Sequence, residues 1–277
     1  MMKRKIAIIN DIHANYLLLN KILDYAKKEK VTDYIIGGDS ITDGVWVNEV
    51  LDKLREVNPI MVNGNREESI INYDGYSWEN NPRFALMLYT YKHISPINLE
   101  FIKNNPTTKI STIAGKKICI SHGSPYKVRE LVYANSYQLF DKLIEDFACD
   151  VYLFAHSHIP FDTKYKNRYF INAGALFPCN NKDVVAFGIL DIDNDNVDYT
   201  PIELQYDFEE VKEFYKNSLT YQVSPEWCNI IINEFNRYKD YYNYFANYLN
   251  KYYKNCNNSN WKEAFNKFIE ENNLDIY

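Results

Sequence analysis

The sequence predicts an α/β protein of two packed sheets with helices covering their faces, and three observations lead to it. From Lys5 to Asn65 short apolar runs alternate with amphipathic helical periodicity in a β-α-β-α-β order, the pattern of parallel strands covered by helices. A second strand–helix–strand unit follows, with KKICISHG (Lys116 to Gly123) and DVYLFAHSH (Asp150 to His158) flanking a helix around Asn135 to Asp146. The chain then changes character. RYFINAG is followed by VVAFGILDID and NVDYTPIEL, the last two joined across Asp193 to Asn196 as an antiparallel hairpin. Parallel strands followed by a hairpin point to two sheets, not to a single doubly wound one.

Within the first unit, KIAIIN (Lys5 to Asn10) reads as a buried strand, and LLLNKILDYAKKEK (Leu17 to Lys30) has the i, i+3, i+4 spacing of an amphipathic helix. YIIGGD (Tyr34 to Asp39) and IMVNGN (Ile60 to Asn65) are the next strands, separated by the helix WVNEVLDKLREV (Trp46 to Val57). Two segments lie outside this scaffold. Arg66 to Pro106 is a long, largely helical excursion, and a passage of that length normally serves the mouth of a site. Asp207 to Tyr277 is helical, net acidic and rich in Tyr and Asn; its tyrosines read as helix packing, with a nucleobase-stacking surface as the alternative. The organisation is one domain over residues 1–206, with a helical insert at about 66–106, and a helical extension over 207–277.

Composition narrows the classes of function. The chain has 277 residues and a large apolar fraction, enough for a substantial core. Its formal charge of −6 disfavours a long nucleic-acid backbone as partner, and small anionic substrates would need local cations. The start, MMKRKIAIINDIH, has only IAII as an apolar segment, too short for the core of a signal peptide, and no run approaches membrane-spanning length. Cys119, Cys149, Cys179, Cys228 and Cys256 are odd in number and lack C-x-x-C spacing. They read as reduced thiols of a cytoplasmic protein, not as a disulfide frame or a zinc cluster.

The chemistry is concentrated at the strand ends. In FAHSHIPF (Phe154 to Phe161), two of the chain's five histidines stand one residue apart where an apolar run stops. Alternation along a strand ending at Ala155 would aim His156 and His158 to one side, although an isolated H-x-H reads more readily as a polar turn closing a buried strand. The other strands supply partners. The first ends in Asp11-Ile12-His13, the second in Gly38-Asp39, the third in Gly64-Asn65 and the fourth in His122-Gly123. Ligands of open α/β sheets gather at this carboxyl edge. Two carboxylates, one amide and four imidazoles suit two borderline transition-metal ions, not magnesium alone.

In order along the chain, DIHAN, GGDSITDG, GNRE, SHGSP and AHSHIP resemble the D-x-H, G-D, G-N-H/D, H-G and G-H-x-H motifs of the calcineurin-like metallophosphoesterases, over about Lys5 to Leu204. The resemblance implies a four-layer α/β/β/α sandwich of two mixed sheets with a dinuclear metal site. By that resemblance Asp11, His13 and His158 hold one metal, Asn65, His122 and His156 hold the other, and Asp39 bridges both. The implied ions are divalent Mn, Fe, Zn, Co or Ni, with Mn or Fe preferred. INAGAL (Ile171 to Leu176) resembles the family's N-P-G-S turn, with Ala173 in place of proline. The implied reaction is hydrolysis of a phosphate ester or anhydride by a metal-activated hydroxide, with Asp39, Asn65 and Arg66 as catalytic residues.

The chain departs from the family pattern at two positions. Ala155 stands where glycine usually precedes the histidine pair, a small change that the backbone is expected to tolerate. Arg66 stands where members often carry a histidine thought to assist the leaving group. Arginine cannot donate a proton near neutrality, but it can hold a phosphate by a forked contact. That favours anhydrides or activated diesters, whose leaving groups depart without protonation. The expected substrate is a small phosphorylated molecule, such as a nucleotide or a dinucleoside polyphosphate; the insert and extension also resemble those of bacterial diadenosine tetraphosphate hydrolases. Arg66, Asn15 and His93 are the expected substrate contacts, although His93 reads first as a surface or packing histidine of the insert, with a substitute acid reaching over the site as the alternative. Two other classes remain open: a nuclease on polymeric nucleic acid, against which the acidic balance argues, and a non-catalytic scaffold of the same fold, such as the family's retromer subunit. A scaffold would be expected to erode ligand positions, and all seven ligand types are present here.

Overall fold

The structure is a computed structural model, and it describes residues 3–178, 183–254 and 256–277. The strands are β1 (Arg4–Ile9), β2 (Asp33–Ile36), β3 (Ile60–Met61), β4 (Thr108–Ile113), β5 (Lys116–Ser121), β6 (Val151–Phe154), β7 (Phe161–Tyr165), β8 (Arg168–Asn172), β9 (Val184–Ile192) and β10 (Val197–Gln205). They form two five-stranded sheets, in the orders β10-β9-β1-β2-β3 and β4-β5-β6-β8-β7. In the first, β1, β2 and β3 run parallel, and β9 is antiparallel to both of its neighbours, β1 and β10. In the second, β5, β6 and β8 run parallel between the antiparallel edge strands β4 and β7. Both sheets are therefore mixed, as expected of this sandwich.

The alternation of β1 shows how the layers are assembled. Ile6 and Ile8 join Ile118, Ile120, Val151 and Leu153 in the seam between the sheets, whereas Ala7 and Ile9 face the outer helices. A strand buried on both faces has no polar positions to spare, hence the unbroken apolar run. On one side lie α1 (Tyr16–Lys28) and α2 (Val47–Val57), and the insert adds α3 (Asn65–Ile71), α4 (Ala85–His93) and α5 (Pro96–Lys103). On the other, α6 (Tyr137–Phe147) packs Phe140 and Leu143 onto Tyr152, Phe154 and Phe170. Truncating a fully buried side chain such as Ile8 or Phe140 to alanine would cost about 2–5 kcal/mol.

The extension comprises α7 (Phe208–Lys216), α8 (Leu219–Val223), α9 (Pro225–Arg237), α10 (Tyr241–Tyr252) and α11 (Trp261–Asn272). It shares its core with the sandwich: Tyr215, Trp227, Phe235 and Phe245 belong to the same apolar cluster as Leu18, Val47 and Leu51. It also grips the insert, the Trp227 indole N–H donating to the Arg83 carbonyl at 3.0 Å.

Several elements differ from their sequence expectation. The strands β4 and β7 are absent from it because both are edge strands with only half-buried alternation. The strands β2, β3 and β6 end two to four residues before Asp39, Asn65 and His156, at Ile36, Met61 and Phe154, so Asp39 and His156 sit in loops and Asn65 opens α3. Cys119, Cys149, Cys228 and Cys256 are free thiols, and Cys179 lies outside the described residues.

Candidate metal centre and substrate cavity

The motif loops follow β1, β2, β3, β5 and β6 and converge at one edge of the sandwich, held in a conformation that side-chain-bearing residues rarely adopt. Asp11, His13, Asp39, His156 and His158 all have φ between 48° and 63°. Such residues cost of order 1–3 kcal/mol each and persist where their surroundings over-determine them. Here the surroundings do so. The His13 amide donates to the Asp39 carbonyl at 2.9 Å and the Asp11 amide to the Gly38 carbonyl at 3.1 Å, lacing the first loop to the second. The Asn172 side chain donates to the Ala155 carbonyl and the Ser157 hydroxyl, bracing the turn between the two histidines. His156 and His158 therefore converge through left-handed turns, and strand alternation, expected from the sequence, is not the cause.

Glycine is required where the loops touch. A Cβ on Gly64 would lie 2.2 Å from Asp39 Oδ1 and 2.8 Å from the His122 ring. Gly38, at φ +95°, would meet Gly64 and His122 in the same way.

The side chains form two adjoining groups, Asp11 with His13 and His158, and Asp39 with His122 and His156; within each, the candidate ligand atoms lie within 4.8 Å of one another. His13 Nε2 and His158 Nε2 are 3.2 Å apart. His122 Nε2 lies 3.5 Å from Asp39 Oδ2 and 3.3 Å from Asn65 Oδ1, so Asn65 joins the second group. Asp11 Oδ1 reaches toward both groups, 3.5 Å from His158 Nε2 and 4.0 Å from His122 Nε2. The structure thus brings all seven expected ligand residues together.

The donor set can be tested for its fit to cations. His122 Nδ1 lies 2.9 Å from the Gly37 carbonyl, which can only accept, so Nδ1 carries the hydrogen and Nε2 presents its lone pair to the site. His13 Nδ1 is 2.7 Å from the Asp43 carboxylate, which fixes its tautomer in the same sense. These lone pairs face other acceptors: the Asp39 carboxylate, the Asn65 oxygen, and an Asp11 Oδ1 that is buried without a hydrogen-bond partner among the described residues. Acceptors converging on acceptors in a buried site need a cation between them. With protons alone, burial works against charging His122, yet the Asp39 carboxylate holds its pKa up at about 9. Burial likewise opposes ionising Asp39, but His122, His13 and Arg66 hold its carboxyl well below the usual range. Burial and the neighbouring His122 lower His156 to about 4, leaving it a neutral donor at physiological pH. Mixed imidazole and carboxylate donors of this kind suit first-row transition metals.

Three residues that sequence reasoning missed complete the site. Glu67 is buried and accepts from the amides of Asp39 (2.9 Å), Ser40 (2.7 Å) and Gly64 (2.8 Å), clamping the second loop to the third. Burial and the charge of Asp39 push its carboxyl up to about 7. Asp43 takes His13 on Oδ2, and the Arg66 guanidinium approaches that same oxygen at 3.2 Å. Tyr242, from α10, lies under the guanidinium, whose carbon is 5.1 Å from the ring centre. Asp43 and Glu67 stand inside the GGDSITDG and GNRE motifs, which was the available signal; nothing local marks Tyr242 among the chain's many tyrosines.

The expected substrate contacts fare unequally. Arg66 lines the site, with Nε free of hydrogen-bond partners among the described residues and its backbone N–H donating to Asp39 Oδ1 at 2.8 Å. Asn15 is fully buried and caps α1, accepting from the Leu18 amide; it does not line the cavity. His93 is exposed at the end of α4, stacked on Tyr89, with Nδ1 2.8 Å from the Tyr89 carbonyl and its own carbonyl bonded by Asn48. It too is outside the cavity, because α4 ends on the flank of α2 instead of crossing the strand ends.

A cavity of about 610 Å³ opens over the two groups. Its floor includes His13, Asp39, His156 and His158, one wall comes from the insert through Trp78, Phe84 and Met87, and another from the extension through Trp227 and Tyr242.

A mixed-sheet α/β sandwich carrying two histidine–carboxylate groups at one edge is the architecture of a metallophosphoesterase. The chain belongs to the calcineurin-like phosphoesterase superfamily, whose domain matches residues 4–195. It is similar to the uncharacterized protein MJ0912 of Methanocaldococcus jannaschii, 27% identical over 183 residues that cover 64% of this chain and 72% of that one. In fold it is similar to the hypothetical protein PH1004 of Pyrococcus horikoshii, with a TM-score of 0.67 and 16% identity over 82% of this chain and 97% of that one. A metallophosphoesterase from Sphaerobacter thermophilus superposes with a TM-score of 0.65 and 20% identity, covering 77% and 93% of the two chains.

Proposed function

We propose that this protein hydrolyses phosphodiester or phosphoanhydride bonds of a small, nucleotide-like substrate at a dinuclear metal centre. The observation that carries the reading is the convergence of the buried, preset Nε2 atoms of His13 and His122 with the unpaired Asp11 Oδ1 and the half-buried His158 ring, on the floor of a cavity sized for a small molecule. Asp11, His13 and His158 would hold one ion, and Asn65, His122 and His156 the other. By family resemblance Asp39 would serve both ions, and Asp11 Oδ1 lies within reach of both groups. When bound, such a pair of ions supplies an activated water and charge stabilisation on phosphoryl oxygens. Mn or Fe suits the mixed imidazole and oxygen donors.

The chain's own residues do the rest. Asp43 and Gly37 hold His13 and His122 in the tautomers that present Nε2, and Glu67 holds the Asp39 and Asn65 loops together. Arg66 orients the phosphoryl group with the donor that Asp43 leaves free, and supplies no proton. That supports leaving groups that depart as stabilised anions. The walls built by insert and extension favour a compact substrate over a polymer. The test is a metal-by-substrate screen on metal-stripped protein across dinucleoside polyphosphates, nucleotide anhydrides, diesters and monoesters. Turnover of anhydrides or activated diesters with Mn or Fe supports the reading; turnover confined to alkyl monoesters, or to polymeric nucleic acid, contradicts it.

A further inference from the structure

Glu234, on α9, is a carboxylate-bearing residue in the cavity lining that the phosphoesterase chemistry leaves unused. It is 4% exposed, and its Oε1 accepts from the Tyr242 amide at 2.8 Å, which fixes the carboxyl group in place. Its Oε2 is buried with no hydrogen-bond partner among the described residues. The charged groups that act on it most are the acidic Asp240 and Asp43, and among the described residues no salt bridge to a cation reaches it. A buried polar atom left unmatched is expensive, and in a cavity wall its natural match is a ligand group. The cavity it lines is also lined by large apolar side chains from three separate segments: Trp78 and Phe84 of the insert, Phe177 beside the histidine turn, and Trp227 of the extension.

We propose that Glu234 and these walls form a subsite for an amino-substituted nucleobase, the exocyclic amine donating to the Glu234 carboxyl while the base lies among the aromatic side chains. This rests on the phosphoesterase reading, which places the substrate's phosphate at the cavity floor. The ligand must then carry a phosphate, a flat apolar body and an N–H donor, and an amino-substituted nucleotide has all three. A simple alkylammonium phosphate would answer Glu234 but make no use of the apolar side chains that line the cavity. Burial, the Asp240 and Asp43 charges and a side-chain hydrogen bond shared with Asp240 push the Glu234 carboxyl well above its usual range, so an N–H donor placed between the two acidic groups relieves their repulsion.

The experiment measures equilibrium binding to the full chain loaded with Mn²⁺, using the methylene-bridged diphosphonates of adenosine and of purine riboside, which differ only in the amine. The wild type should bind the adenosine compound about tenfold more tightly or better, the value of one hydrogen bond to a buried acceptor. In Glu234→Leu the two should bind alike. Equal binding by the wild type, which needs no variant to fold, would overturn the subsite, as would tighter binding of phosphoethanolamine than of the adenosine compound. Hydrolysis of bis(p-nitrophenyl) phosphate is followed alongside. Hydrolysis without amine discrimination refutes the base subsite alone, whereas discrimination without hydrolysis of any phosphoester refutes the phosphoesterase reading alone.

Discussion

The floor and the walls of the cavity are built by opposite means. The floor is made of loops only a few residues long, in left-handed backbone conformations, laced to one another by amide bonds and by Glu67. The walls are made of helices whose apolar faces belong to the same core as the sandwich, and their cavity-facing residues are scattered over both the insert and the extension. A floor of that kind admits almost no substitution, because ligand, backbone and neighbour each constrain every position. A wall needs only to pack on one side, and its other side is free to suit a substrate. The division predicts that chemistry is lost by changes in the floor and that preference is altered by changes in the walls.

The largest effect should come from the floor. Asp39→Asn keeps a residue that tolerates the left-handed backbone but removes the charge shared by His122 and Arg66. It should cost more than a hundredfold in kcat/KM, beyond the 10–100-fold typical of outer partners, and it should lower bound metal measured on the same sample. Asp43→Asn removes the carboxylate that orients His13 and balances Arg66, without touching a proposed ligand position itself. A loss of about 10–100-fold in metal affinity, read by competition with a chelating dye, is expected; unchanged affinity would show that His13 is oriented without it.

Arg66 lies where floor meets wall. Arg66→Ala should weaken substrate use by about 1.5 kcal/mol, the low end for a charged hydrogen bond, since Asp43 already engages the guanidinium. Arg66→His would place a titratable donor there, and rates on alkyl phosphates should rise relative to those on activated diesters. A wild-type rate that does not depend on leaving-group pKa, with chemistry rate-limiting, would remove the basis for preferring anhydrides. His93, at the far end of α4, is not placed to supply the proton in its stead.

A smaller effect concerns stability. The folded pKa of His122, about 9, lies above its value in an unfolded chain. Its contribution is therefore complete below about pH 6.5 and is lost as pH rises through about 9. Metal-stripped protein should accordingly lose a few degrees of thermal midpoint over that window. Adding metal, which takes the place of the proton on Nε2, should flatten the slope.

The floor was the part that could be read from sequence. Asp11, His13, Asp39, Asn65, His122, His156 and His158 follow apolar runs at short, fixed distances, and a parallel sheet necessarily brings such positions to one edge. What could not be read there was the local cause. The sequence suggested strand alternation for His156 and His158, while the structure uses left-handed turns braced by Asn172, a long-range contact with no periodic signal. In the walls the helices were legible from periodicity, but not the direction in which they run. Asn15, in the DIHAN motif, caps a helix instead of reaching the site, and His93 packs against Tyr89, the plainer of its two readings from sequence. Tyr242 and Glu234 reach the cavity only because α9 and α10 fold back against the insert, a tertiary fact carried by no local motif.

The most direct test of the account is the metal content of the protein. Stripped protein dialysed against Mn²⁺ and then freed of loose ions should retain two equivalents per chain by elemental analysis. His158→Ala should lower occupancy of the group built with Asp11 and His13, and His122→Ala that of the group built with Asp39, Asn65 and His156. Two equivalents in the wild type, with a selective loss in each variant, is the predicted result. Retention of one ion or none by the wild type, or no change in either variant, would contradict the central claim that these seven side chains form a single dinuclear centre.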